Sequence, residues 1–437
     1  MGLNLRISEK ARQSLVSIFK FLLVFLALDV FFVSIGLLGS FKDIGQGYGQ
    51  QLMVQLASNP MVGLVIGVLV TSIIQSSSAT TSLVVALIAG GTFGDDPQVA
   101  IRLAIPIIMG ANIGTTITSI LVSLGSLGRK KEFEKAFKAS TLHDYFNILS
   151  VIVIFPVQYF TNFLGHASFY LAKLFENVGG VKFASPLKLV VAPQENMVKS
   201  LFSRFPCLIE FVLNFAFWVA ALYCIVSIVK RMNDKRSIGL RLLLFAFFLA
   251  VAGTLFHVRP NWMFCREMAQ FALGLGLLFS ALYLIVTSMR SMVIEKFGVL
   301  LDSYIFKTDI HAMFAAMILT AAVQSSSVTI SVVVPLAGAG ILSLKQIYPY
   351  ALGANLGTTI TAILAALATK NVPAIAVAFS HTMFNLIGIG IWYPLKRVPL
   401  FLADRVSGWI SRSPVLALLY IGSLFFLLPL LLIFIFK

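Results

Sequence analysis

Apolar runs long enough to cross the roughly 30 Å hydrocarbon core of a bilayer begin near residues 19, 103, 140, 207, 238, 270, 346, 373 and 414. No other feature constrains the fold so tightly, because only helices and closed barrels satisfy their backbone polar groups inside lipid. Composition agrees. Hydrophobic residues make up 59% of the chain and charged residues 11%, whereas soluble domains carry roughly 25% charged residues. A soluble enzyme, a nucleic-acid binder and a disordered chain are excluded. The expected fold class is an all-α polytopic membrane protein. The net charge of +16 sits in short segments between apolar runs, where it sets orientation by the positive-inside rule rather than attracting nucleic acid.

The first run, about Phe19 to Leu38, follows a basic leader with Arg6, Lys10, Arg12 and Lys20. It is too long for a signal-peptide core and no small-residue cleavage site follows, so a retained first span is expected. Cys207, Cys224 and Cys265 form no metal or redox pattern. Cys224 falls in an apolar run, while Cys207 and Cys265 both face outside on the topology below, which leaves their pairing open.

Two further apolar runs, 61–90 and 310–343, are longer than one span. The loop 129–138 carries Arg129, Lys130, Lys131, Lys135 and Lys138, so it belongs inside with the basic N-terminus. Helix 103–124 then runs inward, and segment 61–90 must leave and return on the outer side. A re-entrant hairpin with Gln75 near its tip does that. The same parity, followed through Lys230, Arg231, Lys235, Arg236 and Arg241 and then Arg290, Lys296 and Lys307, makes 310–343 an inner hairpin. Lys396, Arg397, Arg405 and Arg412 also fall inside.

Three polar motifs recur in order. Gln75-Ser76-Ser77-Ser78-Ala79-Thr80 returns as Gln324-Ser325-Ser326-Ser327-Val328-Thr329, and Gly110-Ala111-Asn112-Ile113-Gly114-Thr115-Thr116 as Gly353-Ala354-Asn355-Leu356-Gly357-Thr358-Thr359. His143-x-x-Phe146-Asn147 returns as His381-x-x-Phe384-Asn385. The charge reading gives the two copies opposite orientation. Two inverted repeats are therefore expected, each with a re-entrant hairpin and a broken Gly-Ala-Asn helix. Residues 1–229 form the first, with an outer loop at 161–206. Residues 230–268 form a one-helix linker and 269–437 the second repeat. Inverted repeats with interrupted helices mark secondary transporters, whose sites lie near the midplane.

Four consecutive polar residues within an apolar hairpin need partners. Gln75 to Ser78 either hydrogen-bond between helices or, with exposed half-helix ends, receive a small solute. Helix N-termini suit anions, and carbonyls suit Na⁺. Gly110, Asn112, Gly114, Thr115 and Thr116, with Gly353, Asn355, Gly357, Thr358 and Thr359, either pack helices closely or supply oxygens to the hairpin. No Lys, Arg, Asp or Glu occurs in the hairpins, so an anion there would draw its countercharge from Na⁺. A cation or neutral solute also fits. His143 and His381 are either proton-linked or packing histidines bonded to Ser or backbone. Asp29, in the first span, contacts an ion or is structurally paired.

The stretch Asn59-Pro60-Met61-Val62-Gly63-Leu64-Val65-Ile66-Gly67 leading into the first QSSS, with Ala104-Ile105-Pro106-Ile107-Ile108-Met109 before Gly110, resembles the type II sodium–phosphate cotransporters. The resemblance runs from Leu28-Asp29-Val30 to Trp392-Tyr393-Pro394. It implies Na⁺-coupled symport of inorganic phosphate into the cell by alternating access, with no cofactor beyond Na⁺ as coupling ion, and a homodimer. It implies a site at Gln75, Ser76, Ser77, Ser78, Thr80, Asn112, Thr115 and Thr116. In the second repeat, Gln324, Ser325, Ser326, Ser327, Thr329, Asn355, Thr358 and Thr359 correspond. Electrogenic members carry an acid shortly after the first Gly-x-Asn-x-Gly-Thr helix, where this chain reads Leu124-Gly125-Ser126-Leu127-Gly128-Arg129, which leaves the Na⁺ stoichiometry open. The chain ends in an apolar helix without the tails of animal and some bacterial relatives, and a multi-pass protein of a bacterial inner membrane is expected. Competing readings are a symporter of another small anion such as sulfate, an intramembrane serine hydrolase using Ser77 and His143, and a passive channel.

Overall fold

The computed structural model describes residues 48–178, 305–369 and 371–436, with Ser200 and scattered helical positions in 23–41 and 270–284. Among the described residues every regular element is a helix. Five stretches are long and apolar enough to cross a membrane: Pro97–Ser126, Lys130–Thr161, Leu344–Thr369, Val372–Trp392 and Pro414–Phe436. The chain is an all-α polytopic membrane protein. The expected spans at 207 and 238, the linker 230–268 and the three cysteines lie outside the described residues. The first span packs on the run from residue 270, with Phe41 and Phe271 rings 4.8 Å apart. Asp29 is half-buried in the first span.

The first half contains α1 (Tyr48–Ala57), α2 (Pro60–Ile74), α3 (Ser77–Ala89), α4 (Pro97–Gly114), α5 (Ile117–Ser123), α6 (Lys130–Thr161) and α7 (Phe163–Val178). The second contains α8 (Asp309–Val323), α9 (Ser326–Gly338), α10 (Leu344–Thr369), α11 (Val372–Trp392), α12 (Arg397–Ile410), α13 (Pro414–Gly422) and α14 (Leu428–Phe436). The segment expected as an outer loop from 161 thus begins as helix α7, which packs on α11 of the other half.

Both QSSS segments interrupt their helices by the same local chemistry. Pro60 opens α2 behind an Asn59 cap on the Met61 amide (3.0 Å). The helix ends where Gln75 turns left-handed, at φ 58°, and its amide reaches the Thr71 carbonyl at 2.7 Å. Ser76 is extended and its Oγ accepts from the Ala79 amide at 3.2 Å, which starts α3. In the second half Gln324 is left-handed at φ 57° and Ser325 Oγ accepts from the Val328 amide at 3.3 Å. A left-handed residue other than glycine costs about 1–3 kcal/mol, and this chain takes that cost at both glutamines. The arms are 15 and 13 residues long in each hairpin, about 20–22 Å at 1.5 Å per residue, so no single arm crosses the hydrocarbon.

Glycines set how these arms pack. A Cβ on Gly67 would collide with the Ile107 carbonyl, and one on Gly110 with the Leu64 carbonyl. In the second half a Cβ on Gly353 would collide with the Met313 carbonyl, and one on Gly357 would lie 2.5 Å from the Met317 carbonyl. The Gly-Ala-Asn helices α4 and α10 therefore run backbone against backbone with α2 and α8. The other arms cross over: α3 packs on α10 and α11, and α9 packs on α5 and α6.

The break expected in both Gly-Ala-Asn helices is present in the first and absent from the second. In the first copy the ladder tightens, the Thr116 amide reaching the Ile113 carbonyl at 3.1 Å, and α4 gives way to α5. In the second, α10 continues through Thr358 and Thr359 to Thr369. Threonine hydroxyls bond preceding carbonyls in both copies, Thr115 to Ala111 (3.0 Å) and Thr358 to Ala354 (3.1 Å), and such bonds leave a helix continuous. Only Thr116 has a second partner, described below.

Gly110→Ala and Gly353→Ala are each expected to lower the thermal midpoint of the solubilised protein, since overpacking costs about 1–3 kcal/mol. Gly390→Ala, with nothing within 4 Å of the new methyl, leaves it unchanged. Equal midpoints in all three would refute the backbone contact.

Candidate functional site

The two hairpin tips meet. Ser78 Oγ donates to the Gln324 carbonyl at 2.9 Å, and Ser327 Oγ approaches the Thr115 carbonyl at 3.5 Å. Both contacts are buried and both join one half to the other. Ser77 and Ser326 hold the first position of α3 and α9. Ser326 Oγ is one of several buried hydroxyls without a hydrogen-bond partner among the described residues, and it is the one at the second tip, a costly condition. First-turn amides have no acceptor within their own helix, and α3 and α9 each direct that positive end at the tip. Gln75 is exposed while Gln324 is buried, so the two tips are not equivalent.

Other residues expected in the site brace it instead. Thr80 Oγ1 donates to the Ser76 carbonyl (3.1 Å) and receives Thr71 Oγ1 (2.9 Å), and Thr329 Oγ1 donates to the Ser325 carbonyl (3.1 Å). Ser76 and Ser325 are engaged as helix caps. Thr359 Oγ1 turns back to the Leu356 carbonyl at 2.8 Å.

Asn112 and Asn355 sit in a buried seam between the halves. His143 Nε2 donates to Asn355 Oδ1 at 2.9 Å, and His381 Nε2 donates to Asn112 Oδ1 at 3.2 Å. Asn355 Nδ2 then donates to Asn147 Oδ1 (2.8 Å) and Asn385 Oδ1 (2.6 Å). Asn147 and Asn385 return their amides to the His143 and His381 carbonyls, at 3.1 and 3.0 Å. The histidines thus bond asparagines rather than serine or backbone. Each asparagine in the seam directs at least one amide N–H at protein, and the seam locks the third repeated motif of each half onto the second motif of the other.

Asp144 was not among the expected site residues. It is fully buried and accepts from Thr116 Oγ1 at 2.7 Å and from the Tyr420 hydroxyl. Among the described residues no Lys or Arg pairs with it. An available signal was the repeat itself: the first copy reads His143-Asp144 where the second reads His381-Thr382, an acid where strict duplication gives a neutral residue. Asp144 accepts from the Thr116 hydroxyl at the point where α4 gives way, a partner that Thr359 lacks among the described residues.

Comparison with known proteins agrees with this architecture. The family described as Na+/Pi-cotransporter matches residues 30–179 and 284–431, two stretches that each hold one QSSS tip. Sodium-dependent phosphate transport protein 2A of Mus musculus is 32% identical over 456 residues, covering 97% of this chain and 69% of that protein. The 2A protein of Ovis aries is 32% identical, covering 96% of this chain and 68% of its own length. Sodium-dependent phosphate transport protein 2B of Homo sapiens is 31% identical over 447 residues, covering 92% of this chain and 62% of that protein. No solved structure matches. With the family match spanning both halves, and relatives above 30% identity along nearly the whole sequence, the chain belongs to the Na⁺/Pi-cotransporter family.

Proposed function

We propose that this chain carries inorganic phosphate into the cell together with Na⁺ by alternating access, and that both bind where the two QSSS tips meet. Na⁺-coupled phosphate symport is the activity that the relatives' names describe, and the protein is a transporter rather than an enzyme. The observation that carries the site assignment is the tip-to-tip contact of Ser78 Oγ with the Gln324 carbonyl, two residues from the unpartnered Ser326 Oγ. His143 Nε2 is committed to Asn355, so it does not serve Ser77 as a hydrolytic base.

The chemistry follows from what the tips offer. Two helix N-termini, each equivalent to roughly half a positive charge, and the Ser77 and Ser326 hydroxyls present donors to phosphate oxygens. The Gln324 and Thr115 carbonyls and the Gln75 side chain present oxygens to Na⁺. Asp144 adds a buried negative charge behind Thr116, with hydroxyls as its partners. A buried carboxylate without a cation is costly, and Na⁺ relieves that cost. Phosphate raises the affinity for Na⁺ and Na⁺ the affinity for phosphate, the reciprocal coupling that symport requires. Thr80, Thr329, Asn112 and Asn355 hold the tips in register. On this reading the protein lies in the cell's inner membrane with its basic loops inside, as a homodimer.

Labelled phosphate uptake into proteoliposomes, with an inward Na⁺ gradient compared against K⁺, tests the reading. Accumulation that collapses with a Na⁺ ionophore and is competed by arsenate but not sulfate supports it. Competition by sulfate would move the assignment to another anion, and absence of accumulation by inserted, folded protein would refute it.

Ser77→Ala and Ser326→Ala are expected to abolish Na⁺-driven uptake without lowering the thermal midpoint, since neither hydroxyl serves the fold. Uptake at the parent rate in both would refute the site. Asp144→Asn keeps the size of the side chain and one accepting oxygen and removes the charge. It is expected to raise the Na⁺ concentration for half-maximal uptake at least about tenfold, equivalent to about 1.4 kcal/mol. An unchanged Na⁺ dependence would remove Asp144 from the coupling.

A further inference from the structure

Helix α12 buries one face and leaves the other bare. Pro399, Ala403, Ser407 and Ile410 are buried. Ser407 Oγ bonds Thr141 Oγ1 at 2.7 Å and the Tyr145 hydroxyl at 2.9 Å, and Asp404 pairs with Lys138 at 3.0 Å. All three partners lie in the first half of α6, just beyond Arg129, Lys130, Lys131 and Lys135. The helix is therefore fixed at the charged end of the bundle rather than in the middle of the membrane.

Its free face is apolar and aromatic, with Phe401 60% and Trp409 58% exposed, flanked by Val398 and Val406. Residues 401, 405 and 409 follow one another at helical spacing, so Arg405 lies between the two rings, while Arg397 opens the helix and Arg412 follows it. These three arginines are exposed and form no salt bridge among the described residues. The span that follows, Pro414–Phe436, buries 17% of its apolar window, and Val415, Leu418 and Leu419 next to α12 are exposed. A face open to lipid thus continues directly into the free face of α12.

An amphipathic helix with aromatic residues between arginines is suited to the boundary between headgroups and acyl chains, where the rings enter the apolar layer and the guanidinium groups reach back to phosphate. We propose that α12 lies in the headgroup layer of the leaflet that faces the basic loops, and that Arg397, Arg405 and Arg412 hold the phosphates of anionic phospholipids. Guanidinium groups bind phosphate through paired N–H donors, and basic residues at a membrane surface enrich anionic lipid around them. Through Ser407 the helix also holds Tyr145, the neighbour of Asp144, so its seating in lipid bears on the polar seam.

Trp409 reports the contact directly and independently of transport. Protein is reconstituted in bilayers of fixed phosphatidylcholine and phosphatidylglycerol content, with the bromine quencher on one lipid or the other. The Trp409 signal is the fluorescence difference from Trp409→Phe. Stronger quenching by brominated phosphatidylglycerol is expected. The combined Arg397→Gln, Arg405→Gln and Arg412→Gln variant is expected to lose that preference while total quenching persists, and the three lysine replacements are expected to retain it. Failure of both lipids to quench would mean that water or protein covers the face. That result, the absence of a phosphatidylglycerol preference, or a preference that survives the glutamine replacements would each overturn the proposal.

Discussion

Hydrogen bonds that cross from one half of the molecule to the other tie the two interrupted helix pairs together. The interruption at Gln75-Ser76 or Gln324-Ser325 frees backbone groups that lipid cannot satisfy. Each tip meets this by leaning on the other half: Ser78 on the Gln324 carbonyl, Ser327 towards the Thr115 carbonyl. Beneath them the histidine–asparagine seam repeats the arrangement, His143 with Asn355 and His381 with Asn112. The close glycine crossings of α2 with α4 and of α8 with α10 bring the arms near enough for these bonds to form.

The scaffold is duplicated, but its chemistry is not. Asp144 in the first copy faces Thr116, whereas Thr382 takes its place in the second. Gln75 is exposed and Gln324 buried. The first Gly-Ala-Asn helix gives way at Thr115-Thr116 and the second does not. Two similar halves supply similar backbones, and the departures from similarity give the two sides of the seam different charge and different access.

Much of this was legible in the sequence because the informative residues are polar ones set in apolar surroundings. The helix interruptions at Gln75 and Gln324 and the grouping of the three repeated motifs followed from polarity and order. What escaped detection depended on contacts. Nothing in the sequence showed that His143 bonds Asn355, since its partner lies 212 residues away. Asp144 is marked in the sequence only by the departure of His143-Asp144 from His381-Thr382. The continuity of α10 could not be inferred because threonines that bond back to their own helix look the same as threonines that break it. Helix α12 is not separable in the sequence from the basic positions Lys396, Arg397, Arg405 and Arg412, which mark only the inner side.

The bond from Ser78 to the Gln324 carbonyl spans 246 residues of sequence, and this has a consequence for how the protein is made. At roughly 5–20 residues per second of synthesis, the first tip leaves the ribosome about 12–50 s before its partner exists. For that interval the carbonyl that completes it is absent, and the first hairpin must be held by water, by the insertion machinery or by a provisional packing. Biogenesis of the first half is thus completed by the second, and truncation anywhere before residue 324 leaves an unfinished tip in the membrane.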